Sequence, residues 1–153
     1  MSIDERLMQL GIELPAAASP SFNYVPVVLH RGVAYVSGQM PKVDGEVRVF
    51  GKVGAEVDLT TAQGEARICI LQGLACLKAA LGSLDRVEQI LKINGFVASA
   101  PGFNAQPKVL DAASDLLAEV FGEAGRHARA AIGAAELPRN AAVEVEMTVA
   151  YRD

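Results

Sequence analysis

The last third of the chain reads HARAAIG at residues 127–133, ELP at 136–138 and VEVEMTV at 143–149. The first and last of these segments alternate with period two, a pattern typical of β-strands with two different faces. Residues 137–140, LPRN, favour a turn between them, because proline fixes φ and asparagine tolerates unusual backbone angles. This part of the chain is therefore expected to form two strands joined by a turn.

Arg129 stands among small residues in the first of these strands. The neighbouring alanines leave room around its guanidinium, whose planar set of donors suits a carboxylate. If the LPRN turn closes a tight antiparallel hairpin, Arg129 shares a face with Glu144, Glu146 and Thr148. A shift of one residue in the pairing would remove that arrangement. From the residues alone, Arg129 is either a carboxylate-binding residue or half of an ordinary ion pair.

Composition limits the class of protein. A chain of 153 residues lies in the single-domain range, and its 51% hydrophobic content suggests that some apolar surface is buried against other subunits. The net charge of −4 and the scattered basic residues argue against a nucleic-acid groove. No apolar stretch reaches the roughly 18 residues of a membrane helix. The N-terminus lacks the layout of a signal peptide, so the expected location is cytoplasmic.

The chain is expected to divide into an N-terminal helix and linker at residues 1–20 and an α+β domain at residues 21–153. Ser2 and Glu5 have the spacing of a capping box at the start of that first helix. A hairpin is expected over residues 24–37, a tight turn at Asp44-Gly45, and a short strand over 47–49. A long helix is expected from about Thr60, with Gln63 in a second capping box and Gly82 at its end.

A strand over residues 89–97 and a second long helix over 108–121 complete the expected order, β-β-β-α-β-α-β-β. Strands at both ends with two crossover helices indicate an α+β fold with both helices on one face of a mixed sheet. The other face of the sheet would then be left for a partner subunit to cover.

Few chemical motifs are present. His30 and His127 are the only histidines, and neither has a spacing typical of a metal site or a sequence context that fixes a nucleophile beside it. Glycine-rich phosphate loops are absent as well. We therefore expect no metal and no cofactor. Cys69 and Cys76 lie seven residues apart in a helical segment and are expected to be buried free thiols.

Several segments together resemble one family: SGQ at 37–39, NGFV at 94–97, ARA at 128–130, ELP at 136–138 and VEVE at 143–146. The chain is similar over about residues 24–151 to the Rid family, the YjgF-like reactive intermediate deaminases once labelled endoribonuclease L-PSP. DLLAEVFG at 115–122 and GRHAR at 125–129 resemble a bacterial side branch that adds an N-terminal helix.

The resemblance implies a chorismate-mutase-like homotrimer with ligand clefts between subunits. It also implies hydrolysis of enamines and imines, such as those derived from 2-aminoacrylate, to a 2-keto acid and ammonia. Arg129 would bind the substrate carboxylate with help from the Gly38 backbone N–H at the Ser37-Gly38 strand end. Glu144 and a carbonyl near Ala131 would hold the attacking water, and Tyr24 would border the cleft. A positioned water suffices for this chemistry because an iminium carbon is already electrophilic.

The chain departs from the family pattern at Ala131, where the core deaminases often carry cysteine, and at Gly133, where a charged residue is common. The family's asparagine at the entry to the second helix has no transferable counterpart in residues 103–107. One alternative is therefore a non-catalytic trimer that binds small carboxylates. Another is the ribonuclease of the old label, which the acidic charge disfavours.

Overall fold

The structure is a computed structural model that describes residues 1–19 and 22–153. The expected division between a linker ending at Pro20 and a domain beginning at Ser21 falls on the two residues outside this description. Within the described part, the regular elements are α1 (Ile3–Gln9), β1 (Val27–His30), β2 (Val33–Gln39), β3 (Lys42–Val43), β4 (Glu46–Val47), α2 (Leu59–Leu81), β5 (Val87–Ala98), α3 (Gln106–Phe121), β6 (Ala128–Ala134) and β7 (Val143–Tyr151).

The predicted capping box at the start of α1 is confirmed. The Ser2 hydroxyl accepts from the Glu5 N–H at 3.1 Å, and the Glu5 carboxylate accepts from the Ser2 N–H at 2.8 Å. Leu7 of this helix is buried, and the Arg6 guanidinium donates to the Glu119 carbonyl at 2.9 Å. The N-terminal helix therefore packs against α3 as part of the same core.

The helix α2 begins one residue earlier than expected, with a different cap. Asp58 is the N-cap, and its carboxylate accepts from the Thr61 N–H at 2.7 Å, so Gln63 is not part of a capping box. Gly82 ends the helix as predicted, in the left-handed conformation with φ of 84°. Cys69 and Cys76 are both free and buried in this helix, as the sequence indicated.

Five strands form one mixed sheet in the order β1-β2-β7-β5-β6, and β3 and β4 form a separate ribbon. The pair β5–β6 is parallel, and the other pairs are antiparallel. The hypothesis of a β6–β7 hairpin is therefore wrong, because β5 lies between those two strands. A strand–helix–strand connection places its strands parallel, and α3 makes that connection from β5 to β6.

The sheet has one face under the helices and one open face. On β7, the buried residues Val143, Val145, Met147 and Val149 alternate with the less buried Glu144, Glu146 and Thr148. Both α2 and α3 pack on the first of these faces, which confirms the predicted α+β architecture. The open face carries apolar side chains that are about half exposed, Val28, Tyr35 and Ile132.

Candidate functional site

One cavity brings together three of the predicted site residues. Its volume is about 270 Å³, and Glu144 lies in its wall. We call it the Glu144 cavity; its lining residues are Phe22, Tyr24, Gly38, Met40, Lys42, Pro138, Arg139 and Glu144. The first strand pair, the start of β7 and the turn before β7 meet at this point.

A β-bulge places Gly38 beside Glu144. The pairing of β2 with β7 advances from Val36↔Met147 to Gln39↔Val145, so β2 carries one extra residue there. A Cβ atom added to Gly38 would lie 2.5 Å from the Glu144 Oε1. Any larger residue here would displace the carboxyl group, because that group lies directly over the backbone of β2.

Ser37 is not one of the residues that line this cavity, but it binds the backbone of a segment that does. Its hydroxyl donates to the Val25 carbonyl at 2.7 Å, and its N–H donates to the Pro26 carbonyl at 2.9 Å. These two bonds fix the segment that carries Tyr24, whose side chain is 49% exposed. The geometry therefore gives Ser37 a positioning role.

Burial raises the pKa of the Glu144 carboxyl, and the neighbouring negative charge of Glu146 raises it further. Glu146 lies on the same face of β7, where its carboxylate accepts from the Asn94 side-chain amide at 3.0 Å. A carboxyl group with a raised pKa exchanges protons more readily near neutral pH. Glu144 therefore has the property that a general acid or base needs.

Arg129 lies elsewhere, on the face of the sheet that the helices cover. Its register partner on β5 is the buried Ile93, whereas Glu144 pairs with Phe96 on the opposite face. The expected common face of Arg129 with Glu144, Glu146 and Thr148 is therefore wrong. The cause is the wrong strand neighbour, since β5 lies between β6 and β7; the predicted alternation is present on β7, whereas burial along β6 does not alternate.

The guanidinium of Arg129 is held by α3. Its Nη1 donates to the Asp111 carboxylate at 2.9 Å and to the Ser114 hydroxyl at 3.1 Å. Its Nη2 donates to the Pro107 carbonyl at 3.4 Å. Within one chain, Arg129 thus forms an ion pair, with a helix aspartate as the partner. Ala131 follows two residues later on the same face and packs against the core.

Neither histidine has neighbours in the sequence that predict a nucleophile beside it, but in the structure Ser114 lies beside His127. The Ser114 Oγ is 2.9 Å from His127 Nε2, and His127 Nδ1 is 2.6 Å from the Gly125 carbonyl. A carbonyl only accepts, so in the neutral imidazole Nδ1 carries the hydrogen and Nε2 accepts from Ser114. Ser114 in turn accepts from Arg129, so the three side chains form one chain of hydrogen bonds.

This chain of hydrogen bonds borders a second cavity of about 290 Å³. We call it the Arg129 cavity; its lining residues are Ser114, Asp115, Ala118, Gly125, Arg126, His127 and Arg129. Sequence reasoning missed Asp111, Ser114 and His127 as partners of Arg129. The available signal was their spacing: Asp111 and Ser114 are three residues apart on one face of a helix, and His127, just before β6, is two residues from Arg129.

The predicted residues therefore form two groups. Tyr24, Gly38 and Glu144 line one cavity, whereas Arg129 and Ala131 lie on β6 at the far edge of the sheet. Residues 1–19 and 22–153 contain no cluster of three or more side chains suited to a metal ion. No helix in the same residues combines the length and apolar character needed to cross a membrane.

Comparison with known proteins identifies the family. Residues 4–150 match the family described as "YjgF/chorismate_mutase-like, putative endoribonuclease". Protein TCP17 of Trypanosoma cruzi is 50% identical over 144 residues, which cover 94% of this chain and 90% of that protein.

Two solved structures are similar over nearly the whole fold. Atu1372 of Agrobacterium tumefaciens, a protein of unknown function, is 48% identical with a TM-score of 0.91, over 98% of this chain and 92% of that one. A "putative endoribonuclease" of Shewanella oneidensis MR-1 is 34% identical with a TM-score of 0.94, over 98% and 99% of the two chains. The chain therefore belongs to the YjgF/chorismate-mutase-like family, which confirms the Rid resemblance seen in the sequence.

Proposed function

We propose that this protein is a cofactor-independent deaminase that hydrolyses reactive 2-imino acids and their enamines to 2-keto acids and ammonia. The observation that carries the proposal is the carboxyl group of Glu144. It is partly buried, its pKa is raised, and it lies over the Gly38 backbone in a cavity large enough for a small metabolite. Tyr24 borders the same cavity.

The reaction needs a base for water and an acid for the leaving amine, and one carboxyl group can serve as both. Ionised Glu144 takes a proton from water while the water oxygen bonds to the imine carbon. Glu144 then gives this proton to the imine nitrogen, which completes a carbinolamine. The proton of its new hydroxyl group also passes through Glu144 to the nitrogen, the carbon–nitrogen bond breaks, and ammonia leaves as the carbonyl of the keto acid forms. Positioned proton transfer of this kind contributes about 10²- to 10⁴-fold to a rate.

Arg129 would bind the substrate carboxylate from a neighbouring subunit. Within one chain, β5 separates the strand of Arg129 from the strand of Glu144, and the two residues occupy different faces of the sheet. A cleft between subunits of a homotrimer would bring such halves together, and the half-exposed apolar residues of the open face suit subunit contact. The Gly38 N–H and the Ala131 carbonyl would complete the contacts to substrate and water.

The first experiment measures hydrolysis of imines generated in solution by an amino-acid oxidase. Semicarbazide competes with water for the imine, so a deaminase lowers the rate of semicarbazone formation. We expect the wild-type protein to lower that rate. Arg129→Ala and Glu144→Gln should abolish the effect, and Glu146→Gln, two residues along the same strand, should retain most of it.

Mixing the two inactive variants tests whether the site is shared between subunits. If Arg129 and Glu144 act from different subunits, random mixed trimers of Arg129→Ala with Glu144→Gln regain both residues in about one cleft of four. Recovery of activity after joint refolding supports the shared cleft. If the trimers are shown to have exchanged subunits and activity still does not recover, the shared cleft is wrong. Both residues then act within one subunit, or one of them has no part in the reaction.

The alternative is a non-catalytic trimer that binds small carboxylates. Both functions use Arg129, whereas only the deaminase needs Glu144 as a proton carrier. Unchanged semicarbazone formation with every imine, together with saturable binding of 2-keto acids that Arg129→Ala abolishes, would establish the binding protein.

A further inference from the structure

We infer that Ser114 and His127 are positioning residues, which hold Arg129 with one edge of its guanidinium free for the substrate carboxylate. This inference rests on the proposed function, which assigns that carboxylate to Arg129. It adds two residues to the site and specifies which atoms of Arg129 meet the ligand, Nε and Nη2. The starting point is the chain of hydrogen bonds that borders the Arg129 cavity.

The imidazole of His127 decides how the Ser114 hydroxyl group is oriented. His127 Nδ1 is 2.6 Å from the Gly125 carbonyl, so in the neutral ring the hydrogen is on Nδ1 and the lone pair is on Nε2. The Ser114 Oγ is 2.9 Å from that Nε2. A hydroxyl group has a single proton to donate, and Nε2 accepts it. Toward every other neighbour, the Ser114 oxygen therefore acts as an acceptor.

Arg129 is the neighbour that uses this acceptor. Its Nη1 has two hydrogens, one donated to Ser114 Oγ at 3.1 Å and the other to the Asp111 carboxylate at 2.9 Å. Without the bond to His127, the Ser114 hydroxyl would be free to rotate its proton toward Nη1 and break the contact. His127 thus supports Arg129 through Ser114.

The ion pair with Asp111 is a weaker constraint on the direction of Arg129. The Asp111 side chain is 58% exposed, and exposed ion pairs tolerate many geometries. Ser114 is less exposed than Asp111 and is held on its other side by His127. A second, directional bond on the same nitrogen fixes the plane of the guanidinium. Such preorganisation improves binding because less freedom is lost when the ligand arrives.

These bonds leave one edge of the guanidinium open. Nη2 donates to the Pro107 carbonyl over a long distance, 3.4 Å. Among residues 1–19 and 22–153, no hydrogen-bond acceptor contacts Nε of Arg129. In the planar guanidinium, Nε–H and one hydrogen of Nη2 point to the same side, where they match the two oxygens of a carboxylate. We therefore assign the substrate carboxylate to the Nε–Nη2 edge.

The test uses pairs of variants in the full-length protein. Ser114→Ala removes the hydroxyl group and Ser114→Thr keeps it. His127→Phe removes the acceptor at Nε2, and His127→Gln places an amide near the same position. Ser99→Ala is the matched control, because the Ser99 hydroxyl is also part-buried but bonds to Gln106 and to the Val97 carbonyl.

Two measurements are made on each variant. The semicarbazide assay gives kcat and KM for an imino acid. Nuclear magnetic resonance gives the order parameter of the Arg129 Nε–H group, whose signal is assigned by its absence in Arg129→Ala. The order parameter reports motion of the guanidinium whether or not the protein is an enzyme. The same signal is followed while pyruvate, the 2-keto acid formed from 2-aminoacrylate, is added.

We expect Ser114→Ala and His127→Phe to raise KM about three- to tenfold with kcat nearly unchanged, as for the loss of one supporting hydrogen bond. The order parameter of Arg129 Nε–H should fall in both variants. Ser114→Thr and His127→Gln should recover most of both losses, and Ser99→Ala should match wild type. In wild type, pyruvate should shift the Nε–H signal, because Nε is one of the atoms that meet the carboxylate.

An unchanged order parameter and KM in Ser114→Ala would overturn the inference while deamination itself stands. A fall in kcat that Ser114→Thr does not reverse would overturn it as well, since it indicates a role other than positioning. If no imine is hydrolysed faster, but pyruvate shifts the Nε–H signal and binds more weakly to Ser114→Ala, the deaminase proposal fails and the inference holds for a carboxylate-binding protein. If pyruvate leaves the signal unchanged at every concentration, the open edge is not a carboxylate site and the inference is wrong.

Discussion

The Glu144 cavity and the Arg129 cavity are similar in size but differ in how their charges are satisfied. In the Arg129 cavity, Asp111 pairs with Arg129 at 2.9 Å and Glu123 pairs with Arg126 at 3.3 Å. In the Glu144 cavity, the carboxyl of Glu144 is partly buried with a raised pKa, and Lys42 joins none of the ion pairs of the described residues. An ion pair holds a side chain in place, whereas an ammonium group outside the described ion pairs is available to bind an anion.

The largest expected effect comes from filling the wall of the Arg129 cavity. A Cβ atom on the buried Gly125 would lie 2.1 Å from the Leu117 carbonyl oxygen, a backbone atom that cannot turn aside. Gly125→Ala should therefore lower the free energy of unfolding by about 2 to 4 kcal/mol. Urea denaturation followed by circular dichroism measures the change. A loss below about 0.5 kcal/mol would show that α3 and the segment after it separate easily.

The corresponding glycine of the Glu144 cavity should respond differently. In Gly38→Ala the added atom meets the Glu144 Oε1, the mobile end of a side chain. We expect little loss of stability but a fall of about tenfold or more in kcat/KM, because the displaced carboxyl no longer holds water correctly. Gly64→Ala is the matched control, since its Cβ would meet nothing within 4 Å. Equal activities in the two variants would contradict the role of Glu144.

A smaller effect is expected from releasing Arg129. Asp111→Asn removes the ion pair while keeping a similar shape, and the side chains are 23% and 58% exposed for Arg129 and Asp111. Exposed pairs of this kind contribute about 0 to 1 kcal/mol, so stability should change little. We expect KM for an imino acid to rise a few-fold with kcat nearly unchanged, as for a residue that positions a binding group. A fall in kcat alone would give Asp111 a different role.

The smallest effect concerns the dependence of stability on pH. The pKa of Glu144 is higher in the folded chain than its ordinary value of 4.5, so between those two pKa values the folded state keeps a proton that the unfolded state has lost. Stability therefore falls as pH rises through this interval. Glu144→Gln is neutral throughout, so its stability relative to wild type should increase across the same interval. Urea midpoints at a series of pH values measure this; a constant difference would exclude it.

Local sequence signals predicted the helices, strands and turns, but not which strands lie next to each other in the sheet. The Ser2–Glu5 capping box, the Gly82 helix end and the Asp44-Gly45 turn depend on residues close together in the chain, and each is present in the structure. The alternation on β7 also gave the correct face for each residue. Strand order depends on contacts distant in sequence, so the short LPRN connection wrongly suggested a hairpin.

Contacts between residues distant in the sequence also explain which parts of the candidate site the sequence did not predict. The pairing of Tyr24, Gly38 and Glu144 in one cavity follows the family resemblance, but nothing in the residues places Lys42 and Arg139 beside them. The contact of Arg129 with Asp111 and Ser114 also needs the packing of a helix on a particular strand edge. These are tertiary contacts, and single-sequence patterns do not encode them.

The two cysteines of α2 can report how often this helix separates from the sheet in the native protein. Cys69 and Cys76 are 1% and 2% exposed, and burial raises the pKa of both thiols. A thiol reagent reacts with the thiolate, so neither cysteine should be labelled until the helix separates from the sheet. The rate of thiol labelling in native buffer then measures how frequently the helix separates from the sheet, without a mutation or an added dye.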